Sequence, residues 1–144
     1  MMTTKDRMFK VGTGLHQAVF TASKGRIAGR IGGMPVVLLT TTGRRSGKQR
    51  STMLATPVHD DDRVVLVASF GGDPRHPAWF LNLRDHPDVT VTMAGRRRPM
   101  RATVATAEEK AALWPAIVAA YPNYDAYRRK TDRDIPVVVL TPSD

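Results

Sequence analysis

The segment Thr40-Thr41-Thr42-Gly43-Arg44-Arg45-Ser46-Gly47-Lys48-Gln49-Arg50 concentrates groups that hold an anion. Glycines let backbone N–H groups approach a ligand closely and form a concave nest. Arginines add bidentate hydrogen bonds to phosphate or carboxylate. The Walker A spacing is absent, because Gln49 fills the Ser/Thr place after Lys48 and Gly43 lies too close to Gly47. A solvated hairpin turn fits the same residues equally well, so spacing alone leaves both readings open.

A second stretch, Ala68-Ser69-Phe70-Gly71-Gly72-Asp73-Pro74, ends an apolar run just before a helix pattern. Gly71 and Gly72 permit close approach of a ring or phosphate, and a helix start favours negative charge. A plain strand-to-helix connection is the competing reading. Trp79 and Asn82 fall in the helix pattern, where a Trp is more often core than ligand wall. All 3 tyrosines, Tyr121, Tyr124 and Tyr127, recur at i, i+3, i+6. Phenols so grouped can wall a pocket and pass a proton; taken alone, packing beneath Trp114 explains them better.

Hydrolytic and metal chemistry find little support. The 4 histidines, His16, His59, His76 and His86, lack HxxxH or HExxH spacing, and there is no cysteine. No metal site is expected. Glu108 and Glu109 read as first-turn partners of a helix dipole, and no GxSxG occurs.

Positioning these residues requires strands more than helices. Pro35–Thr42 is a β-branched run apolar enough for burial on both faces. Ser51–His59 and Arg63–Ser69 follow, joined by the polar turn Asp60-Asp61-Asp62. Asp88–Met93 and Arg98–Thr106 flank Gly95 as a hairpin, and Ile135–Leu140 closes the chain as a last strand. Helices are expected over Leu15–Ser23, between Pro74 and Pro87, from the N-cap Thr106 to Ala120, and around Tyr124 and Tyr127. In the helix after Thr106, Ala112, Leu113, Ala116, Ile117 and Ala120 recur at helical spacing. This order lacks regular βαβ alternation. It predicts an α+β fold: about six mostly antiparallel strands curled into a small barrel with outer helices. Residues 1–30 form an N-terminal helical segment and 31–144 the barrel, within a single domain.

Composition bounds the partner. A chain of 144 residues with 42% hydrophobic and 24% charged residues supports one packed core. No apolar run reaches the roughly 18 residues a membrane helix needs, and the absence of cysteine suits a reducing cytoplasm. Lys and Arg number 22 against 13 Asp and Glu, a formal +9 that favours an anionic partner. The cations clump at Arg44–Arg50, Arg96–Arg101 and Arg128–Arg133.

Taken together, "PVVLLTTTGRRSGKQR", "VLVASFGGDPRHPAWFLNLRDHPDVTV" and "YPNYDAYRRKTDRDIPVVVL" resemble the deazaflavin-dependent nitroreductase family of actinobacteria, within the flavin/deazaflavin oxidoreductases. The similarity spans residues 15–141, with the motifs in family order. It implies a split β-barrel of the FMN-binding type and the cofactor coenzyme F-420, a deazaflavin with a phospholactyl-oligoglutamate tail. By that resemblance Arg45 and Arg50 take the tail, with Thr42, Gly43, Ser46 and Gly47 as further donors. Ala68, Ser69, Phe70, Gly71 and Gly72 line the deazaflavin ring, and Trp79 and Asn82 stand beside it. Tyr121, Tyr124 and Tyr127 face the substrate, with Tyr127 or Tyr124 as proton donor.

Three positions depart from the family pattern. Arg45 keeps the charge of a Lys. Ala55 stands at the pocket where the nitroimidazole-reducing member has an aromatic, and Phe70 replaces a Lys, which argues against nitro-prodrug reduction. The implied reaction is hydride transfer from reduced F-420 to a small electron-poor acceptor: a quinone, enone or nitro compound. FMN in place of F-420 is one alternative. A nucleic-acid-binding barrel is another, disfavoured because aromatics are only 6% and lie apart from the first basic turn. Weak membrane-surface contact through Phe9, Leu15 and Phe20 with Lys5, Lys10 and Lys24 is a further expectation, as is a monomer or homodimer.

Overall fold

A computed structural model describes residues 30–143. The expected helix Leu15–Ser23 and the membrane-contact residues Phe9, Leu15 and Phe20 lie outside the described residues.

Eight strands form one sheet: β1 (Arg30–Ile31), β2 (Met34–Thr42), β3 (Gln49–Ala55), β4 (Val58–Asp60), β5 (Arg63–Val67), β6 (Asp88–Met93), β7 (Arg96–Val104) and β8 (Val137–Pro142). Three α-helices accompany them: α1 (Ala78–Asp85), α2 (Ala107–Ala120) and α3 (Asn123–Lys130). Every pairing is antiparallel. The order runs β3-β2-β6-β7-β8-β5-β4, with β1 paired to the start of β2. The strands at the two ends of this path, β3 and β4, are separated in the chain only by Thr56 and Pro57. So short a connection spans roughly 10 Å at most. The sheet therefore curls until its edges approach, which makes the expected barrel.

The sequence predicts one strand over Ser51–His59, and the structure breaks it at Thr56-Pro57. Proline offers no N–H to a ladder. Thr56 is buried, its N–H donates to Pro35 O at 2.9 Å, and its hydroxyl lies 2.9 and 2.8 Å from the carbonyl oxygens of Val58 and Val65. One threonine thus ties β2, β4 and β5 at the seam. The break, together with β1, accounts for eight strands where about six were expected. Gly32 and Gly33, at φ +58° and +81°, form the tight turn between β1 and β2.

Alternation along the strands builds two apolar layers. Val37 and Leu39 of β2, Val64 and Leu66 of β5, and Val138 and Leu140 of β8 fill the barrel interior, where α1 adds Phe80 and Leu83. The opposite faces of β5 and β8, through Val65, Val67 and Val137, pack against Trp114 and Ile117 of α2 and Tyr124 of α3. Helix α2 begins with the expected cap: Thr106 Oγ1 accepts from Glu109 N at 3.1 Å and Glu109 Oε1 from Thr106 N at 2.9 Å. Of the expected positions, Ile117 is buried and Leu113 and Ala120 pack half-buried on the same layer. Ala112 and Ala116 are exposed, whereas Trp114 and Ile117 are buried. Burying an indole removes far more apolar surface from water than burying alanines, so the indole sets the helix rotation.

Candidate functional site

Strand register decides which loops meet. Thr42 pairs with Gln49, Thr40 with Thr90, Val67 with Val137, and Val104 with Val138. The basic turn after β2 and the glycine loop after β5 therefore emerge at the same end of the barrel. From there a cleft of about 800 Å³ runs along β3 to α3. That size suits a bound cofactor, for which pockets of about 300–1,000 Å³ are usual.

The cleft gathers most of the residues singled out in the sequence. Gly43, Arg45, Ser46 and Arg50 line one end. Ser69, Phe70, Gly71, Trp79 and Asn82 form a wall, and Ala55 with Tyr121, Tyr124 and Tyr127 form the far end. Thr42, Gly47, Ala68 and Gly72 do not line it. Ala68 is wholly buried, and Gly72 is packed so closely on α3 that a Cβ there would meet Lys130 Cδ at 2.9 Å.

The turn is built differently from a simple nest. Gly43 N donates to Lys48 O at 2.7 Å, Gly47 N to Gly43 O at 2.8 Å, and Lys48 N to Ser46 Oγ at 3.2 Å. These donors close the turn on itself and are spent. The glycines therefore shape the loop, and the charge is presented by side chains. Arg45 and Arg50 are exposed and make no ion pair with a carboxylate among the described residues.

Asn82, expected beside a cofactor, is buried and already engaged. Its Oδ1 accepts from Arg44 N at 3.2 Å and Arg44 Nη1 at 3.0 Å, and its Nδ2 donates to Thr41 Oγ1 at 3.3 Å. It clips the basic turn to α1.

The glycine loop is a short 3-10 turn, Phe70–Gly72, with φ of +46° at Phe70, +63° at Gly71 and +80° at Gly72. A phenylalanine in the left-handed region is strained and persists only where its surroundings fix it. The Arg75 guanidinium lies 5.6 Å from the Phe70 ring centroid and is itself held by Asp73 at 2.9 and 3.0 Å. Beneath the loop, Arg133 donates to Ala68 O, Ser69 O and Asp73 O.

The tyrosines split into two kinds. Tyr124 is buried in the layer under α2, its hydroxyl 3.8 Å from Met34 Sδ, which is the packing role that the spacing alone favoured. Tyr121 and Tyr127 are half-buried, and the Tyr121 hydroxyl accepts from Asn123 Nδ2 at 2.8 Å. Burial pushes the Tyr124 phenol well above its ordinary range, reinforced by charge repulsion from Tyr121 and Tyr127. Burial also raises Tyr127, with the hydrogen bond to Tyr121 next, while Asn123 opposes the shift. Both phenols keep their protons at neutral pH, so each has an O–H to donate there.

Sequence reasoning missed the contribution of β3, whose Ser51, Thr52, Met53 and Leu54 line the cleft, and of Met34 and Ile31. The position of β3 directly after the basic turn was the available signal. It also missed Arg133 and Arg44 as site-building residues. Among the described residues no group of His, Asp or Glu could hold a metal, and no helix is long and apolar enough to cross a membrane.

The chain is thus an antiparallel curled barrel whose cleft carries a basic turn at one end and phenols at the other. The sequence model for the F420H2-dependent quinone reductases matches residues 13–142. The chain is 40% identical over 131 residues to the F420H2-dependent quinone reductase Rv1261c of Mycobacterium tuberculosis, covering 88% of this chain and 87% of that one. Among solved structures, an F420-H2 dependent reductase (FDR-A) superposes with a TM-score of 0.67 at 42% identity, covering 74% of this chain and 93% of its own. A domain-swapped dimer superposes with a TM-score of 0.68 at 35% identity, covering 89% and 99%. The chain belongs to the F420H2-dependent quinone reductase family. It is accordingly an oxidoreductase, and the cofactor of its family is F-420 rather than FMN.

Proposed function

We propose that the cleft holds reduced F-420 with its anionic tail on Arg45 and Arg50 and reduces a quinone beside Tyr121 and Tyr127. The observation that supports this most is the pairing of opposite chemistries in one cleft: exposed arginines without carboxylate partners at one end, neutral phenols at the other. An unpaired guanidinium fork matches phosphate and carboxylate geometry. When bound, reduced F-420 supplies the hydride.

The protein's own residues do the rest. Ser46 and the arginines fix the tail, and Phe70 with Trp79 walls the ring. Ala55, small and half-buried, leaves width for a bicyclic acceptor. Tyr127, kept protonated, hydrogen-bonds the acceptor carbonyl oxygen and gives it the proton that accompanies the hydride. Tyr121 and Asn123 orient that phenol. The reading places the enzyme in the cytoplasm, as a monomer or homodimer, with its acceptor reached from solution or from a membrane surface.

The test is a pair of variants. Arg50→Ala is expected to raise the F-420 dissociation constant about tenfold, a loss of about 1.4 kcal/mol, in a fluorescence titration. Tyr127→Phe is expected to lower kcat with menadione while cofactor affinity stays within about twofold. Unchanged cofactor affinity in Arg50→Ala would remove the tail site from the basic turn.

A further inference from the structure

Arg133 lies outside the cleft lining, yet it holds the wall of that cleft from behind. Its Nε donates to Asp73 O at 2.8 Å, and its Nη2 to Ser69 O at 2.8 Å and Ala68 O at 3.0 Å. These carbonyls bracket Phe70, Gly71 and Gly72, the residues at positive φ. A turn at such angles needs its surroundings to fix it, and one planar guanidinium reaches three of its flanking carbonyls. Lysine, with one ammonium on a flexible stem, cannot reproduce that fork.

The remaining edge of the guanidinium faces a titratable group. Arg133 Nη1 lies 3.1 Å from His76 Nδ1. Arginine has donors only, so Nδ1 must accept, which places the ring proton on Nε2 and leaves the imidazole neutral. The charged groups facing His76 are Arg133 beside it, Arg84 on α1 and Asp134 next along the chain, while the Phe80 ring packs 5.0 Å away. Two cations against one carboxylate, with partial burial, disfavour a charged imidazole. Burial is the largest cause holding its pKa below the ordinary 6.5, followed by Arg133 and Arg84. Protonation would turn the acceptor into a donor and set two cations face to face.

We propose that Arg133 is the positioning residue of the ring-side loop and that His76 makes its hold proton-dependent. Neutral His76 completes the acceptor set of the guanidinium; cationic His76 pushes it off the loop carbonyls. The inference rests on the reading that this loop walls the deazaflavin ring. As pH falls below the usual histidine range, the loop loosens and cofactor affinity drops.

The experiment compares wild type, Arg133→Lys and His76→Asn, whose Oδ1 mimics Nδ1 without titrating. Dissociation constants for F-420 are measured by fluorescence at about pH 7.5 and about pH 5.5. The cofactor's own titrations are common to all three proteins and cancel in the ratios. Arg133→Lys is expected to bind about tenfold more weakly at the higher pH. His76→Asn is expected to match wild type there and to exceed its affinity by about threefold at the lower pH. Equal affinities of folded Arg133→Lys and wild type overturn the positioning role, and a constant ratio of His76→Asn to wild type overturns the proton link. If wild type binds no F-420, the cofactor reading fails instead. Amide hydrogen exchange across residues 68–76, read as protection factors so that the intrinsic slowing of exchange at lower pH is divided out, then decides the inference on its own: lower protection in Arg133→Lys, and in wild type at lower pH but not in His76→Asn, sustains it, and unchanged protection sinks it.

Discussion

Tyr124 carries the strongest perturbation of any tyrosine in the cleft, and its cause is local: the ring is buried and, among the described residues, its hydroxyl meets a thioether. Such a group gives a testable signature in stability. The unfolded chain loses the phenolic proton near pH 10, whereas the folded chain retains it well above that. Between these points the unfolded state binds fewer protons, so the stability contributed by the neutral phenol is complete below about pH 10 and is lost as pH rises beyond it. Urea unfolding of Tyr124→Phe should show stability within about 1 kcal/mol of wild type at neutral pH, since only a weak contact to sulfur is removed. Its decline above pH 10 should be shallower than that of wild type. Parallel declines in the two proteins would assign the alkaline limb to other groups. The same residue shows why spacing alone could not rank the tyrosines: their i, i+3, i+6 pattern is identical for a core residue and a cleft residue.

Elements whose signals are local were legible in the chain. The strand Asp88–Met93 follows from its alternation, and α2 starts where Thr106 and Glu109 predict a capping box. The break at Thr56-Pro57 had a local signal in Pro57, but the seam it makes did not, because the second acceptor of the Thr56 hydroxyl, Val65 O, belongs to another strand. Arg133 was hidden for the same reason, since the carbonyls it holds lie 60, 64 and 65 residues earlier. The β6–β7 hairpin exposes a local mismatch instead. Ala94 and Gly95 turn the chain at φ +51° and +80°, a geometry for which glycine and asparagine are suited and alanine is not. A left-handed backbone costs an ordinary L-residue about 1–2 kcal/mol. Ala94→Asn should therefore raise stability by about 0.5–1 kcal/mol, read as a higher urea midpoint at unchanged slope. A lower midpoint would mean that the Ala94 methyl contributes packing worth more than the strain.

Over the whole molecule three basic clumps contribute to the surplus of +9, and they have different uses. In Arg96–Arg101, a clump that runs along β7, Arg98 donates to Asp61 O at 2.8 Å and Arg101 pairs with Asp88 at 3.1 Å. In Arg128–Arg133, Arg128 and Arg129 share Asp125 at 2.6 and 3.7 Å, and Arg133 is spent on loop carbonyls. In the turn after β2, Arg44 is clipped to Asn82, while Arg45, Lys48 and Arg50 stay exposed without a described carboxylate. The composition predicts an anionic partner; of the three clumps, only the turn after β2 lines the cleft. Exposed charges of this kind act through a field that salt screens over about 8–10 Å. Raising NaCl from about 50 to about 500 mM should thus weaken F-420 binding by about tenfold or more in wild type. The Arg45→Ala/Arg50→Ala double variant should show a clearly flatter salt dependence, while Arg96→Ala/Arg97→Ala should retain the wild-type slope. Equal slopes in all three proteins would transfer the tail from the basic turn to a diffuse attraction by the net charge.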